Sequence, residues 1–173
     1  MKQYLILGSG THLSKRIYLE PGSPEREFQG EITTVDYLGG DIKADLNELP
    51  YDWAADESFD EIHAYEILEH TGSQGDGEFF FGQFNEFHRI LRPDGLMMIS
   101  VPMWNHQGAL GVPDHKRVMP LSVFLFLEER YYDNVGKPGY GDYRPFIKGY
   151  WKCEGAEEGE HTLMLALRCL KSS

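Results

Sequence analysis

The sequence predicts an α/β protein with a mostly parallel sheet, closed at its C-terminal end by an antiparallel edge hairpin. Three observations carry this. Strand-like and helix-like segments alternate along most of the chain. Leu96–Pro102, LMMISVP, is apolar throughout, as a strand covered on both faces must be. Two strand-like segments, FIKGYWKCEG and TLMLALRCL, then follow one another at the end of the chain.

The elements follow in order. YLILG is a buried strand that runs into a turn with glycines at 8 and 10. THLSKRIYLEPGSPEREFQG holds at most a short helix before a Pro/Gly-rich connection. EITTVDY is a β-branched second strand with Asp36 at its end, and DIKADL is a short third one. In FDEIHAYEILEH, the part EIHAYE alternates like a strand and Ile67 opens a short helix. Phe80, Phe84, Phe87 and Leu91 recur at helical spacing, so that stripe is core and the nearby His88 is structural. Pro93-Asp94-Gly95 stops the helix and turns the chain. MWNHQGALGVPDHKRV is a long polar and aromatic loop, and PLSVFLFLEERYY reads as a helix with Pro120 in its first turn.

With 173 residues and 41% hydrophobic content, the chain suits one domain, residues 1–173, with a real core. No stretch is long and apolar enough for a membrane span, and Met1 leads into a strand without a signal-peptide pattern. The expected compartment is therefore the cytoplasm. Cys153 and Cys169 are expected as free thiols, with a turn over Gly155–Gly159 holding them well apart. The net charge of −12, from 16 basic against 28 acidic residues, argues against duplex nucleic acid as a partner. Only local basic patches at Lys116-Arg117 or Arg89 and Arg92 run against that balance.

The chemistry lies in the order of several weak signals. Gly8 and Gly10 let backbone approach a ligand closely, because no Cβ intervenes. Asp36 ends the next strand, where an acid can accept both hydroxyls of a ribose. In a parallel sheet the two meet at the carboxyl edge, where such sheets bind ligands. Asp45 closes the following segment, placed to bond a base amino group, with Leu46 beside it to pack on the base.

With LILGSG, VDY, ADLNELPY, SFDEIHAYEILEH and above all FHRILRPDGLMMISVP, the sequence resembles the class I S-adenosylmethionine-dependent methyltransferases, in particular small single-domain members. The resemblance implies a Rossmann-like three-layer sandwich. It also implies S-adenosylmethionine as cofactor, with S-adenosylhomocysteine as product. Gly8, Ser9 and Gly10 would wrap the methionine and ribose portion, Asp36 would take the ribose hydroxyls, and Asp45 and Leu46 would hold the adenine. Tyr65 and Glu66 would lie beside the methionine moiety.

Two features depart from the family pattern. His12 stands where a third glycine is usual, and no helices precede the first strand to cover the cofactor. They motivate an alternative, a methyltransferase-like binding or interaction module without turnover. They also suggest a homodimer in which a second copy supplies the cover. A nicotinamide dinucleotide enzyme would need a third glycine at position 13, where Leu13 stands.

Methyl transfer from a sulfonium needs alignment and water exclusion more than a fixed triad. His70 and His115 are the candidate bases, with Glu69 as a further one. Trp104, Asn105, His106 and Asp114 are candidate contacts for an acceptor, expected to be a small molecule. No metal site is expected, because the histidines fall in no tight ligand spacing and Glu66, Glu69 and His70 alone make a thin case.

Overall fold

The computed structural model describes residues 1–10, 13–15 and 28–171. Among these, seven strands form one sheet: β1 (Lys2–Leu7), β2 (Gly30–Asp36), β3 (Ile42–Lys43), β4 (Phe59–Tyr65), β5 (Leu91–Pro102), β6 (Tyr150–Glu158) and β7 (Thr162–Leu170). Their order is β3-β2-β1-β4-β5-β7-β6. The first five pair in parallel, and β7 inserts antiparallel between β5 and β6. The expected mostly parallel sheet and antiparallel hairpin are both present, with β6 at the edge.

Alternation along the strands divides the interior. Leu5, Leu7, Ile62, Met97, Ile99 and Leu165 belong to the larger core, together with Phe80, Phe84 and Phe87 of α1 (Gly77–Ile90). Asp76 starts that helix by accepting a hydrogen bond from the Phe79 backbone N–H at 2.9 Å. The opposite face carries Tyr65, Met98 and Ala166. Phe28 and Lys15 lie over Tyr4 on that side. The segment between the first two strands, expected to hold at most a short helix, falls mostly on residues 16–27, outside the described residues, as does His12. No helix among the described residues is long and apolar enough to cross a membrane.

Three local expectations are corrected. The Pro93-Asp94-Gly95 turn is a bulge inside β5: the register jumps from Phe59↔Leu91 to Glu61↔Leu96, and Asp94 takes φ +61. Pro93 favours extended backbone at Arg92, so the chain enters the strand before the bulge. Residues 120–132 are not one helix. They form α3 (Leu121–Phe124) and then 3₁₀ turns at Leu125–Leu127 and Glu129–Asn134. Glu128 is extended between them because its backbone bridges to Trp151 and its buried side chain pairs with Arg130. Finally, β6 runs past Gly155 through a bulge, so Cys153 lies opposite Leu167 and Cys169 opposite Trp151. The thiols are nearer than expected, and both are free.

Beneath the second face, Glu61 is buried and meets Lys2 Nζ at 3.0 Å, Lys15 Nζ at 3.1 Å and His63 Nε2 at 3.2 Å. Burial alone would raise its carboxyl, but bonds from His63 and Lys2 and the charge of Lys15 outweigh it, holding it at about 2 against an ordinary 4.5. A carboxylate with a depressed folded-state pKa stabilises the fold above its unfolded value, and that stability is lost as pH falls through the folded one. Glu61→Gln should therefore be less stable than wild type to urea at pH 7. The gap should close as pH falls from 4.5 towards 2, and a gap independent of pH would refute this account.

Candidate functional site

The strand order reverses between β1 and β4, since β2 and β3 extend to one side and β5 to the other. At such a reversal the connections leave the carboxyl ends in opposite directions and open a crevice. An open cleft of about 520 Å³ lies there, lined by Gly8, Asp36, Asp45, Leu46, Glu66 and His70 among others. They come from the ends of β1 and β2 and from the loops after β3 and β4, so the sheet itself sets their spacing.

The floor is built from backbone. Gly8 has φ +59, and its N–H donates to Val35 O at 2.8 Å. A Cβ at this position would stand 2.6 Å from Ile67 Cγ1 and Cδ1. Glycine is thus required twice, for its backbone angle and for room. Gly8→Ala should cost about 2 kcal/mol of stability and displace the loop after β4. Urea unfolding checks it, and an unchanged midpoint would mean that Ile67 yields freely.

Asp36 accepts from the Leu38 N–H at 2.9 Å and from the Gly10 N–H at 3.4 Å. A carboxylate has about four acceptor directions, so roughly two remain for a ligand. Asp45 accepts from both the backbone N–H and the side-chain amide of Asn47, which hold its carboxyl below the usual range. Asn47 in turn accepts from the Gly72 N–H at 2.8 Å, tying the loop after β3 to the loop after β4. The Leu46 carbonyl accepts from the Tyr51 hydroxyl at 3.0 Å, which fixes the apolar wall from below. Glu66 sits at φ +52, outside the usual range for a residue with a side chain, and its Oε1 is buried without a hydrogen-bond partner.

The loop after β4 forms the far wall. Lys116 and Arg117 donate their backbone N–H groups to Glu69 O at 2.8 and 3.3 Å, bringing residues 114–117 against it. His70 Nδ1 lies 3.2 Å from Asp114 Oδ2. The His70 and His115 rings meet edge to face at 4.6 Å between centroids. Burial pushes the Glu69 carboxyl up to about 8, with the Glu66 charge adding to it. Arg117 anchors the loop through Leu68 O, Thr71 Oγ1 and Gln83 Oε1.

The structure gathers most of the residues singled out in the sequence, but not all. Gly8, Asp36, Asp45, Leu46, Glu66, His70 and Asp114 line the cleft, with Gly10 bonded to Asp36 and Ser9 buried beside them. Tyr65 does not: its hydroxyl bonds His63 Nδ1 at 2.7 Å and its ring packs with Met98 and Ala166 on the other face. Trp104 lines a separate shallow groove with Leu121 and Leu125. His106 caps α2 (Gln107–Gly111) by accepting from the Gly108 N–H, and its ring lies against His161. Asp114 partners His70 rather than its neighbour His115. His88 is structural as expected, with Nε2 3.0 Å from Leu170 O. Sequence reasoning missed Tyr37 and Leu38, exposed apolar residues that line the cleft directly after Asp36. Two large apolar residues between an acid and a Gly-Gly turn were the available signal.

Similar folds occur in solved structures. An S-adenosylmethionine-dependent methyltransferase from Mesorhizobium loti aligns at 15% identity and TM-score 0.52, covering 96% of this chain and 90% of that one. The fold is that of the class I S-adenosylmethionine-dependent methyltransferases. Within this methyltransferase fold, a second match is the Burkholderia thailandensis 1,6-didemethyltoxoflavin-N1-methyltransferase, solved with 1,6-didemethyltoxoflavin and S-adenosylhomocysteine. It aligns at 16% identity and TM-score 0.52, covering 98% of this chain and 71% of that one. The cyclase SpnF matches at 14% identity and TM-score 0.58, covering 99% and 75%. One methyltransferase fold thus hosts more than one reaction, and the reaction must be argued from the cleft. No protein-family model matches the sequence, and no curated protein matches it.

Proposed function

We propose that the cleft binds S-adenosylmethionine and that the protein transfers its methyl group to a small-molecule acceptor. The observation that carries this is the convergence of Gly8, Asp36, Asp45 with Leu46, and Glu66 on one cleft at the strand-order reversal. The side chains fit the group. Asp36 retains acceptor capacity for ribose hydroxyls, and Gly8, at φ +59, turns its backbone into the cleft wall. Asp45 and Leu46 offer a base an acceptor and an apolar wall, and the buried Glu66 Oε1 has a lone pair to offer an ammonium.

When bound, the cofactor supplies a methyl already activated by the sulfonium charge. The chain's own task is then to align an acceptor and exclude water, which can lower a barrier by about 7–11 kcal/mol. Asp114 orients His70 through Nδ1, leaving Nε2 able to accept a proton from an acceptor hydroxyl or amine. His115 stands against the same ring. Free thiols fit a cytoplasmic setting, and the acidic surface favours small acceptors over duplex nucleic acid. A second copy of the chain is the macromolecular partner proposed.

The reading is tested by incubating the protein with S-adenosylmethionine and a panel of small hydroxyl-, amine- and thiol-bearing acceptors. Acceptor-dependent release of S-adenosylhomocysteine is expected, and its loss in His70→Ala would assign the base. Tight cofactor binding without release across the panel would instead favour the non-transferring module, a reading to which the cyclase neighbour lends weight.

A further inference from the structure

We propose that Glu69, His70 and His115 form a binding site for a divalent first-row transition cation beside the cleft. One oxygen of Glu69 and one ring nitrogen from each histidine all lie within 4.8 Å of one another. Both imidazole Nε2 atoms stand 4.0 Å from the same carboxylate oxygen, Glu69 Oε1. Donors about 2.1 Å from one ion sit roughly 3–4 Å apart, so the widest-spaced donors need to close by roughly 1–2 Å, within the reach of side-chain rotation. The chain distance that argued against a metal is removed by the two backbone bonds from Lys116 and Arg117 to Glu69 O.

A second observation points the same way. Glu69 is 2% exposed, and neither of its oxygens has a hydrogen-bond partner among the described residues. Buried carboxylates are ordinarily paired or on a metal. A protonated Glu69 would also need an acceptor for its O–H, and the nearest imidazole nitrogens are out of reach at 4.0 Å. Asp114 Oδ2 sits on His70 Nδ1 at 3.2 Å, which fixes the tautomer with its lone pair on Nε2. A carboxylate behind a ligating histidine is the recurring support of metal-bound imidazoles.

Two imidazoles and one carboxylate suit Zn²⁺, Fe²⁺ or Co²⁺, whereas Mg²⁺ and Ca²⁺ take oxygen donors. Three protein ligands leave coordination positions open. His70 also lines the cleft, so those positions border the space proposed for the acceptor. Cation and proton compete for the one lone pair on His70 Nε2, so His70 is the base only in the metal-free protein; the site depends on these side chains and not on what the rest of the cleft holds.

Titration of chelator-stripped protein with Co²⁺, followed by visible absorption and calorimetry, tests this. One equivalent should bind with a visible band, and Mg²⁺ should not displace it. Glu69→Gln and His115→Ala should each weaken Co²⁺ binding roughly tenfold or more. Two separate substitutions keep the test decisive if one of them fails to fold. No stoichiometric uptake, or wild-type affinity in the folded variants, would overturn the site. S-adenosylhomocysteine binding, measured in parallel on the metal-free protein, reports on the cofactor proposal alone.

Discussion

Replacing Asp36 by alanine is expected to weaken S-adenosylhomocysteine binding by roughly a hundredfold, about 3 kcal/mol. Two losses add. The remaining acceptor directions of the carboxylate would each take a ribose hydroxyl in a charge-assisted bond, worth about 1.5–3 kcal/mol. The same oxygens accept from the Gly10 and Leu38 N–H groups, so the loops after β1 and β2 lose their common anchor. Asp36→Asn keeps one acceptor oxygen and should recover part of the loss. An affinity unchanged in Asp36→Ala would refute the assigned contact, whatever else the cleft binds.

Arg117→Met is expected to lower stability by about 3 kcal/mol, a fall of roughly 6–12 °C in Tm for a chain of this size. Arg117 is 6% exposed and reaches three acceptors from three places: Leu68 O at 3.0 Å, Thr71 Oγ1 at 2.8 Å and Gln83 Oε1 at 2.6 Å. Burial draws its guanidinium down to about 10, still charged at neutral pH. Replacing a buried charge by an apolar isostere can be neutral when its partners leave with it. Here the acceptors remain, and although Thr71 still donates to Leu68 O and Gln83 Oε1, each loses its charged donor in a buried site. Arg117→Lys should not rescue, because a single ammonium cannot span the fork that joins the loop after β4 to α1. A methionine variant as stable as wild type would show that the three acceptors find other donors. Since Arg117 also fixes the backbone that carries Glu69 and His70, the variant should lose Co²⁺ binding along with stability.

The legible parts of this molecule were those set locally. Gly8 is readable because a strand end that turns sharply against a neighbouring loop needs a positive φ and no Cβ, and Asp36 because an acid closing the neighbouring strand must fall beside it. The phenylalanine stripe was readable from its 3.6-residue period, and β5 from its unbroken apolarity. What escaped depends on register and distant contacts. Tyr65 was assigned to the ligand because it ends a strand, but strand parity turns it to the face of His63 and passes the cleft to Glu66. His115 meets Glu69 only because backbone bonds fold one loop onto another. The helical pattern of residues 120–132 gave way at Glu128, where pairing with the sheet edge at Trp151 outweighed local propensity.

The central claim, that this cleft holds the nucleoside and amino-acid portions of a sulfonium cofactor, is tested most directly by calorimetric titration with S-adenosylhomocysteine. The product presents every contact except the transferring methyl, so its binding does not depend on knowing the acceptor. The account predicts one site per chain, with affinity lost in Asp36→Ala and largely retained in Trp104→Ala, whose side chain lies on another groove. No heat of binding at millimolar ligand, or equal affinity in both variants, would contradict it.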